Sequence, residues 1–246
     1  SDFTKTCTSN ASGSQVGQSA VAGQTYSWSP SSGLNSASSA TTLANPSATT
    51  TYTLTVTKNS NGCSATDNVV VTVDTQVPTA NAGSGFTKTC VSNTSGGTIG
   101  ASGASGNSYS WNNGAGSSAT ASVNPSSTTT YTLTVTDNSN GCTATDDVTV
   151  TVDQAAPTAN AGSGFTKTCT SNANGGTIGA SGSSANSYSW DNGAGSSATA
   201  SVNPSSTTTY TLTVTDNSNG CTATDNVTVT VDQATPTANA GSAFTK

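Results

Sequence analysis

A skeleton of Cys, Trp, Tyr and Cys recurs three times in this 246-residue chain, at a period of about 79 residues. Its members are Cys7, Trp28, Tyr52 and Cys63, then Cys90, Trp111, Tyr131 and Cys142, then Cys169, Trp190, Tyr210 and Cys221. Three copies of one unit set the domain count at three, each of ordinary domain size but with a small core. The expected boundaries are residues 1–77, 78–156 and 157–235. Residues 236–246 restart the motif as the opening of a fourth unit, because Ser242–Lys246 repeats Ser84–Lys88, so the chain reads as a fragment of a longer array. Near-identical copies argue against one unique active centre and for a role carried by length, spacing or multiplicity.

Alternation within a unit predicts strands. In the second copy Tyr131, Leu133 and Val135 alternate with Thr132, Thr134 and Thr136, the pattern of a half-buried strand. Asn140-Gly141 is expected to supply the positive φ angles of a tight hairpin, and the return strand runs from Cys142 to Val152. Asn107–Trp111 reads as a central strand carrying the Trp inward, and Ala119–Val123 as a short strand closed by Asn124-Pro125. Phe86–Cys90 and Gly97–Ala101 open the unit. About seven short strands with no helical period predict an all-β sandwich, three of them in tandem and joined end to end by brief Pro-containing linkers. The first copy carries four extra residues between Trp28 and Pro46, in a turn region where insertions are tolerated.

Composition removes whole classes of function. Glu, Arg, His and Met are absent, and Ser plus Thr exceed a third of the chain. Eleven Asp face five Lys, a net charge of −6 that leaves no basic footprint for nucleic acid. A Ser nucleophile has no His to activate it, so catalysis is not expected. No apolar run is long enough to span a bilayer as a helix. No cofactor and no metal are expected.

Six cysteines without His read as disulfides, which belong to an oxidising, extracellular setting. Pairing inside each copy (Cys7–Cys63, Cys90–Cys142, Cys169–Cys221) completes every domain and is the favoured pattern. The rival pattern staples neighbours through Cys63–Cys90 and Cys142–Cys169. Trp28, Trp111 and Trp190, with Tyr52, Tyr131 and Tyr210, are expected in the core rather than on a glycan-stacking platform. Lys5, Lys88, Lys167 and Lys246 recur two residues before a Cys or its equivalent place, and read as exposed lysines guarding strand edges. Asp67, Asp146 and Asp225, and the linker residues Asp74, Asp153 and Asp232, recur in every copy. They read as strand-end carboxylates bonded to backbone amides, with calcium at the junctions as the alternative.

Pro-Thr-Ala-Asn-Ala-Gly, Thr-Cys, Tyr-Ser-Trp, Thr-Tyr-Thr-Leu-Thr-Val-Thr, Asn-Gly-Cys and Thr-Val-Thr-Val-Asp follow one another in order. In that order they resemble the tandem PKD-like, immunoglobulin-like repeats of giant surface proteins in Bacteroidetes-type bacteria, including gliding-motility adhesins. The resemblance implies immunoglobulin-like sandwiches, export to the cell surface, and a part in adhesion or extended filaments. The expected function is therefore a structural, non-catalytic adhesin stalk or filament body. Its expected partners are neighbouring repeats and other copies of the same chain, with no nucleic acid and no membrane span. The alternative is a multivalent module whose repeated weak sites bind surface glycans.

Overall fold

The computed structural model describes residues 1–243, and Lys246 lies outside the described residues. Among those residues there is no helix, and each repeat forms six strands. The first repeat holds β1 (Phe3–Lys5), β2 (Ser14–Gly17), β3 (Gln24–Ser29), β4 (Thr41–Ala44), β5 (Thr50–Lys58) and β6 (Ser64–Val73). The second holds β7 (Thr87–Lys88), β8 (Gly97–Gly100), β9 (Asn107–Trp111), β10 (Thr120–Val123), β11 (Thr129–Asp137) and β12 (Thr143–Val152). The third holds β13 (Thr166–Lys167), β14 (Gly176–Gly179), β15 (Asn186–Trp190), β16 (Thr199–Val202), β17 (Thr208–Asp216) and β18 (Thr222–Val231).

Every repeat makes the same pair of sheets. A four-stranded sheet of order β1-β6-β5-β3 faces a two-stranded sheet of order β2-β4, and the other repeats follow suit. Strict alternation sends Tyr52 and Leu54 of β5 and Val69 and Val71 of β6 inward against Val16 and Ala44 of the small sheet. This is an immunoglobulin-like β-sandwich, built three times. The chain clusters into two compact units. One comprises Ser1–Gly85, Gly97–Asn124 and Thr129–Val150; the other comprises Phe86–Gly96, Pro125–Thr128 and the residues from Thr151 onward. The division passes through the second repeat, so each unit contains one junction between successive repeats.

Three features differ from expectation. In each hairpin only the glycine is left-handed, with φ near 71° at Gly62, 71° at Gly141 and 70° at Gly220. The preceding Asn is not, and its side chain is used elsewhere. The place of a seventh strand in the second and third repeats is taken by the Pro-Thr-Ala-Asn-Ala-Gly segment. It packs into the sandwich as an irregular strap rather than serving as a spacer, and its Ala82 and Ala161 are fully buried.

The third difference is direction. Strand β1 runs parallel to β6 and pairs with its far end, Phe3 opposite Val71 and Lys5 opposite Val73. Cys7 therefore emerges beside Val73, whereas Cys63 precedes Ser64 at the other end of β6. At about 3.3 Å per residue the two ends of that strand stand ~30 Å apart. A disulfide needs Cα atoms within about 7 Å. Pairing within a repeat is thus excluded by the parallel register.

Candidate functional site: the junction between repeats

The cysteines that do pair lie in successive repeats. Cys7 bonds to Cys142 with Cα atoms 5.0 Å apart, and Cys90 bonds to Cys221 at 5.1 Å. The opening cysteine of one repeat is joined to the closing cysteine of the next. Both sequence-based patterns, Cys7–Cys63 with its equivalents and Cys63–Cys90 with its equivalent, are therefore corrected. Cys63 and Cys169 carry free, exposed thiols.

Local chemistry prepares each side of this bond. On the opening side, Thr6 accepts the Ser9 amide on its hydroxyl at 2.8 Å, and Asn10 at φ 50° donates to the Thr4 carbonyl. These bonds hold the loop that presents Cys7. On the closing side, the Asn140 carboxamide oxygen accepts the Cys142 amide at 2.8 Å. Its nitrogen donates to the linker, at 2.9 Å to Asp74 and 3.0 Å to the Gln76 carbonyl. Asn219 repeats this at 2.9 Å to Asp153 and 3.0 Å to the Ala155 carbonyl. Both Asn side chains are 2% exposed, so every polar atom there needs such partners.

Glycine serves twice at this place. Gly141 needs its positive φ for the turn, and a Cβ on it would also stand 2.5 Å from Thr8 of the preceding repeat. A Cβ on Gly220 would meet Val91 at 2.7 Å. The Cys90 amide closes the second junction by donating to the Asn219 carbonyl at 3.2 Å.

The strap completes the junction. The Ala82 amide donates to Asp146 at 2.8 Å, and its carbonyl accepts the Gly100 amide at 2.8 Å. Ala161 does the same with Asp225 and Gly179, each at 2.8 Å. A left-handed glycine (Gly83 and Gly162, both at φ 74°) turns the strap, its amide held by the Asn two residues before.

The remaining residues singled out in the sequence are placed as follows. Trp28, Trp111 and Trp190 are each 5% exposed, and their indole N–H groups donate at 2.9 Å to the carbonyls of Ser39, Ser118 and Ser197. Tyr52, Tyr131 and Tyr210 are buried. Burial raises the Tyr52 pKa above its ordinary value. The lysines correct the expectation of exposed edge guards, since Lys88 and Lys167 are 8% exposed. Lys88 donates to the Pro125 carbonyl at 3.1 Å, and Lys167 donates to the Pro204 carbonyl at 3.0 Å and to Asn203 at 2.6 Å. A buried ammonium is tolerated where it is bonded in this way, and here it clamps the Asn-Pro corner. Lys5 reaches Asn45 and Pro46 in the same manner.

Among the described residues no group of three acids, cysteines or histidines is gathered for a metal. The linker carboxylates Asp74 and Asp153 are instead engaged by Asn140 and Asn219. The hairpin acids Asp137 and Asp216 have lowered pKa values, chiefly from the Ser139 and Ser218 hydroxyls. Residues that the sequence reading missed are Asn140, Asn219, Ala82 and Ala161. Their signal was present as Ala-Asn-Ala-Gly and Ser-Asn-Gly-Cys recurring at fixed distance from the cysteines.

No protein-family model matches the chain, and no curated protein matches it. Similar solved structures include an I-band fragment of titin, 12% identical over 94% of this chain and 95% of that one, with a TM-score of 0.41. Another is a Sidekick-1 fragment of immunoglobulin domains, 13% identical over 95% of this chain and 57% of that one, at 0.30. A third is the three N-terminal domains of the highly immunogenic outer capsid protein of bacteriophage RB49, 12% identical over 89% and 95%, at 0.36.

Proposed function

We propose that this chain is a structural, non-catalytic repeat region of an extracellular bacterial surface protein, serving as an adhesin stalk or filament body. Its units are residues 1–77, 78–156 and 157–235, with a fourth opening at 236–246. The observation that carries the reading is the covalent bond from each repeat to the next. Such bonds persist outside reducing compartments. They also suit a role in tension, because the two closed loops, 7–142 and 90–221, overlap.

Overlap shortens the covalent path between the ends. That path runs from Ser1 to Cys7, across to Cys142, back along the backbone to Cys90, across to Cys221 and onward. It uses only about 80 residues, or roughly 300 Å of fully extended chain at ~3.6 Å per residue. Single-molecule stretching should show that limited extension when oxidised and about three times as much after reduction. Gold labelling of intact, unpermeabilised cells of the source should decorate the outer surface. Full-length extension without reductant, or labelling only after permeabilisation, would refute the proposal.

A further inference from the structure

Each bonded junction encloses an Asn-Gly step, Asn140-Gly141 in one and Asn219-Gly220 in the other. Asparagine followed by glycine is prone to lose its carboxamide nitrogen, because glycine has no Cβ to hinder attack by its own backbone nitrogen and turns freely. That loss requires the glycine nitrogen to reach the Asn Cγ, and water to follow.

The closed junction denies both. The Gly141 amide is engaged by the Asp137 carbonyl and the Gly220 amide by the Asp216 carbonyl, each at 2.8 Å. The Asn140 carboxamide is held at both ends, its oxygen by the Cys142 amide and its nitrogen by Asp74 and the Gln76 carbonyl. Asn219 is held in the same way by the Cys221 amide, Asp153 and the Ala155 carbonyl. At 2% exposure, both side chains are also screened from water.

The cover over each turn is fastened covalently. Cys142 follows Asn140 by two residues and is bonded to Cys7, whose loop lies on the turn. From that loop the Thr8 hydroxyl reaches the Asn140 carbonyl at 3.5 Å, the outer limit of a hydrogen bond. At the second junction the Cys90 amide reaches the Asn219 carbonyl at 3.2 Å. Cutting the disulfide therefore releases the loop that shields the Asn-Gly step.

We propose that Asn140 and Asn219 are modification sites, shielded while the junction disulfide stands and deamidated once it is reduced. Two small-molecule thiols reduce Cys7–Cys142 to two thiols and leave as their own disulfide. The Gly141 nitrogen then bonds to the Asn140 Cγ, and the Cγ–Nδ2 bond breaks. Nδ2 departs as ammonia, carrying the proton of the Gly141 amide. Water opens the resulting succinimide to aspartate or isoaspartate.

The product cannot rebuild the junction. Its carboxylate replaces the nitrogen that now donates to Asp74 at 2.9 Å and to the Gln76 carbonyl at 3.0 Å. Three acceptors then face one another without a donor, and two like charges share a buried site. Reduction, reversible at the sulfurs, becomes permanent at the asparagine. The gate rests on the junction geometry and is independent of the stalk reading.

The test incubates the intact chain at neutral pH with and without dithiothreitol and follows each Asn by peptide mass mapping. Asn140 and Asn219 should convert about tenfold or more faster in the reduced chain, the factor for losing one charge-assisted hydrogen bond. Paired substitutions open one junction at a time. C7S/C142S should accelerate Asn140 and leave Asn219 slow, and C90S/C221S should do the reverse. Equal rates with and without reductant would overturn the gate. So would acceleration of both sites in either variant, since that marks general unfolding. N140D, reduced and then reoxidised with glutathione disulfide, should close Cys7–Cys142 about tenfold less than the unsubstituted chain, with Cys90–Cys221 formed as usual. Ordinary closure in N140D, or loss of both bonds together, would overturn the claim that the change is local and permanent.

Discussion

The hairpin of the first repeat and the hairpin of the second have the same sequence over Asn59–Cys63 and Asn138–Cys142, yet they live in different surroundings. In the second, the cysteine is 0% exposed and bonded to the repeat before it, and the Asn is 2% exposed. In the first, both are exposed. The sheet behind them differs in the same sense, since Ala82 fills the second core and a pocket opens beside the first. In the second repeat the strap that opens the unit supplies the last wall of the core, and a loop from the preceding repeat supplies the covalent lock.

That contrast can be broken by paired substitutions, followed by chemical denaturation of the monomer. The largest difference is expected at the cysteines. Cys142→Ser opens a loop of 135 residues, and the loop-entropy treatment gives about 5 kcal/mol for it. Cys63→Ser should change stability by less than about 0.5 kcal/mol, the usual range for an unengaged surface position.

Next comes the hairpin glycine. Gly62→Ala should cost about 1 kcal/mol for its positive φ. Gly141→Ala should cost roughly 1–3 kcal/mol more, because its Cβ would overlap Thr8 and overpack the junction. Equal losses at the two sites would deny that the junction packs as described.

The strap carboxylates should differ less. Asp146→Ala leaves the Ala82 amide without its acceptor, a cost of about 1–3 kcal/mol. Asp67→Ala should be close to neutral, because its carboxylate holds only the adjacent Asn68 amide.

The smallest effect concerns pH. The lowered pKa values of Asp137 and Asp216 mean that their ionised forms are favoured in the folded chain. Their contribution is present above the unfolded Asp value near 3.8 and is lost as pH falls through the lower folded value. Lys58 occupies this place in the first repeat. Amide shifts of Ser139 and Ser218 should therefore move in acid, while that of Ser60 should not.

Much of the sandwich was legible because β-strand alternation is local. Tyr131 to Val135 and Val148 to Val150 declare their inward faces in sequence, and so does the central Trp strand. The junction was not legible, for a specific reason. Cysteine spacing records neither strand direction nor which end of β6 a cysteine occupies. The parallel pairing of Phe3–Lys5 with Val71–Val73 decides that, and it is a long-range contact. The strap was hidden for a related reason. Pro-Thr-Ala-Asn-Ala-Gly has the composition of a linker, and its role shows only when Ala82 is found fully buried between Asp146 and Gly100. The lysines misled because a recurrent charge is usually solvated, whereas Lys88 and Lys167 spend theirs on the carbonyls of a buried corner.

Tryptic digestion of the oxidised, alkylated monomer tests the central claim most directly. Cleavage after Lys5, Lys58, Lys88 and Lys167 places the six cysteines on peptides 6–58, 59–88, 89–167 and 168–246. Pairing from each repeat to the next predicts one disulfide-linked species containing 6–58, 89–167 and 168–246, with 59–88 released and alkylated at Cys63. A covalent pair of 6–58 with 59–88, with 89–167 and 168–246 each closed on itself, would contradict the account.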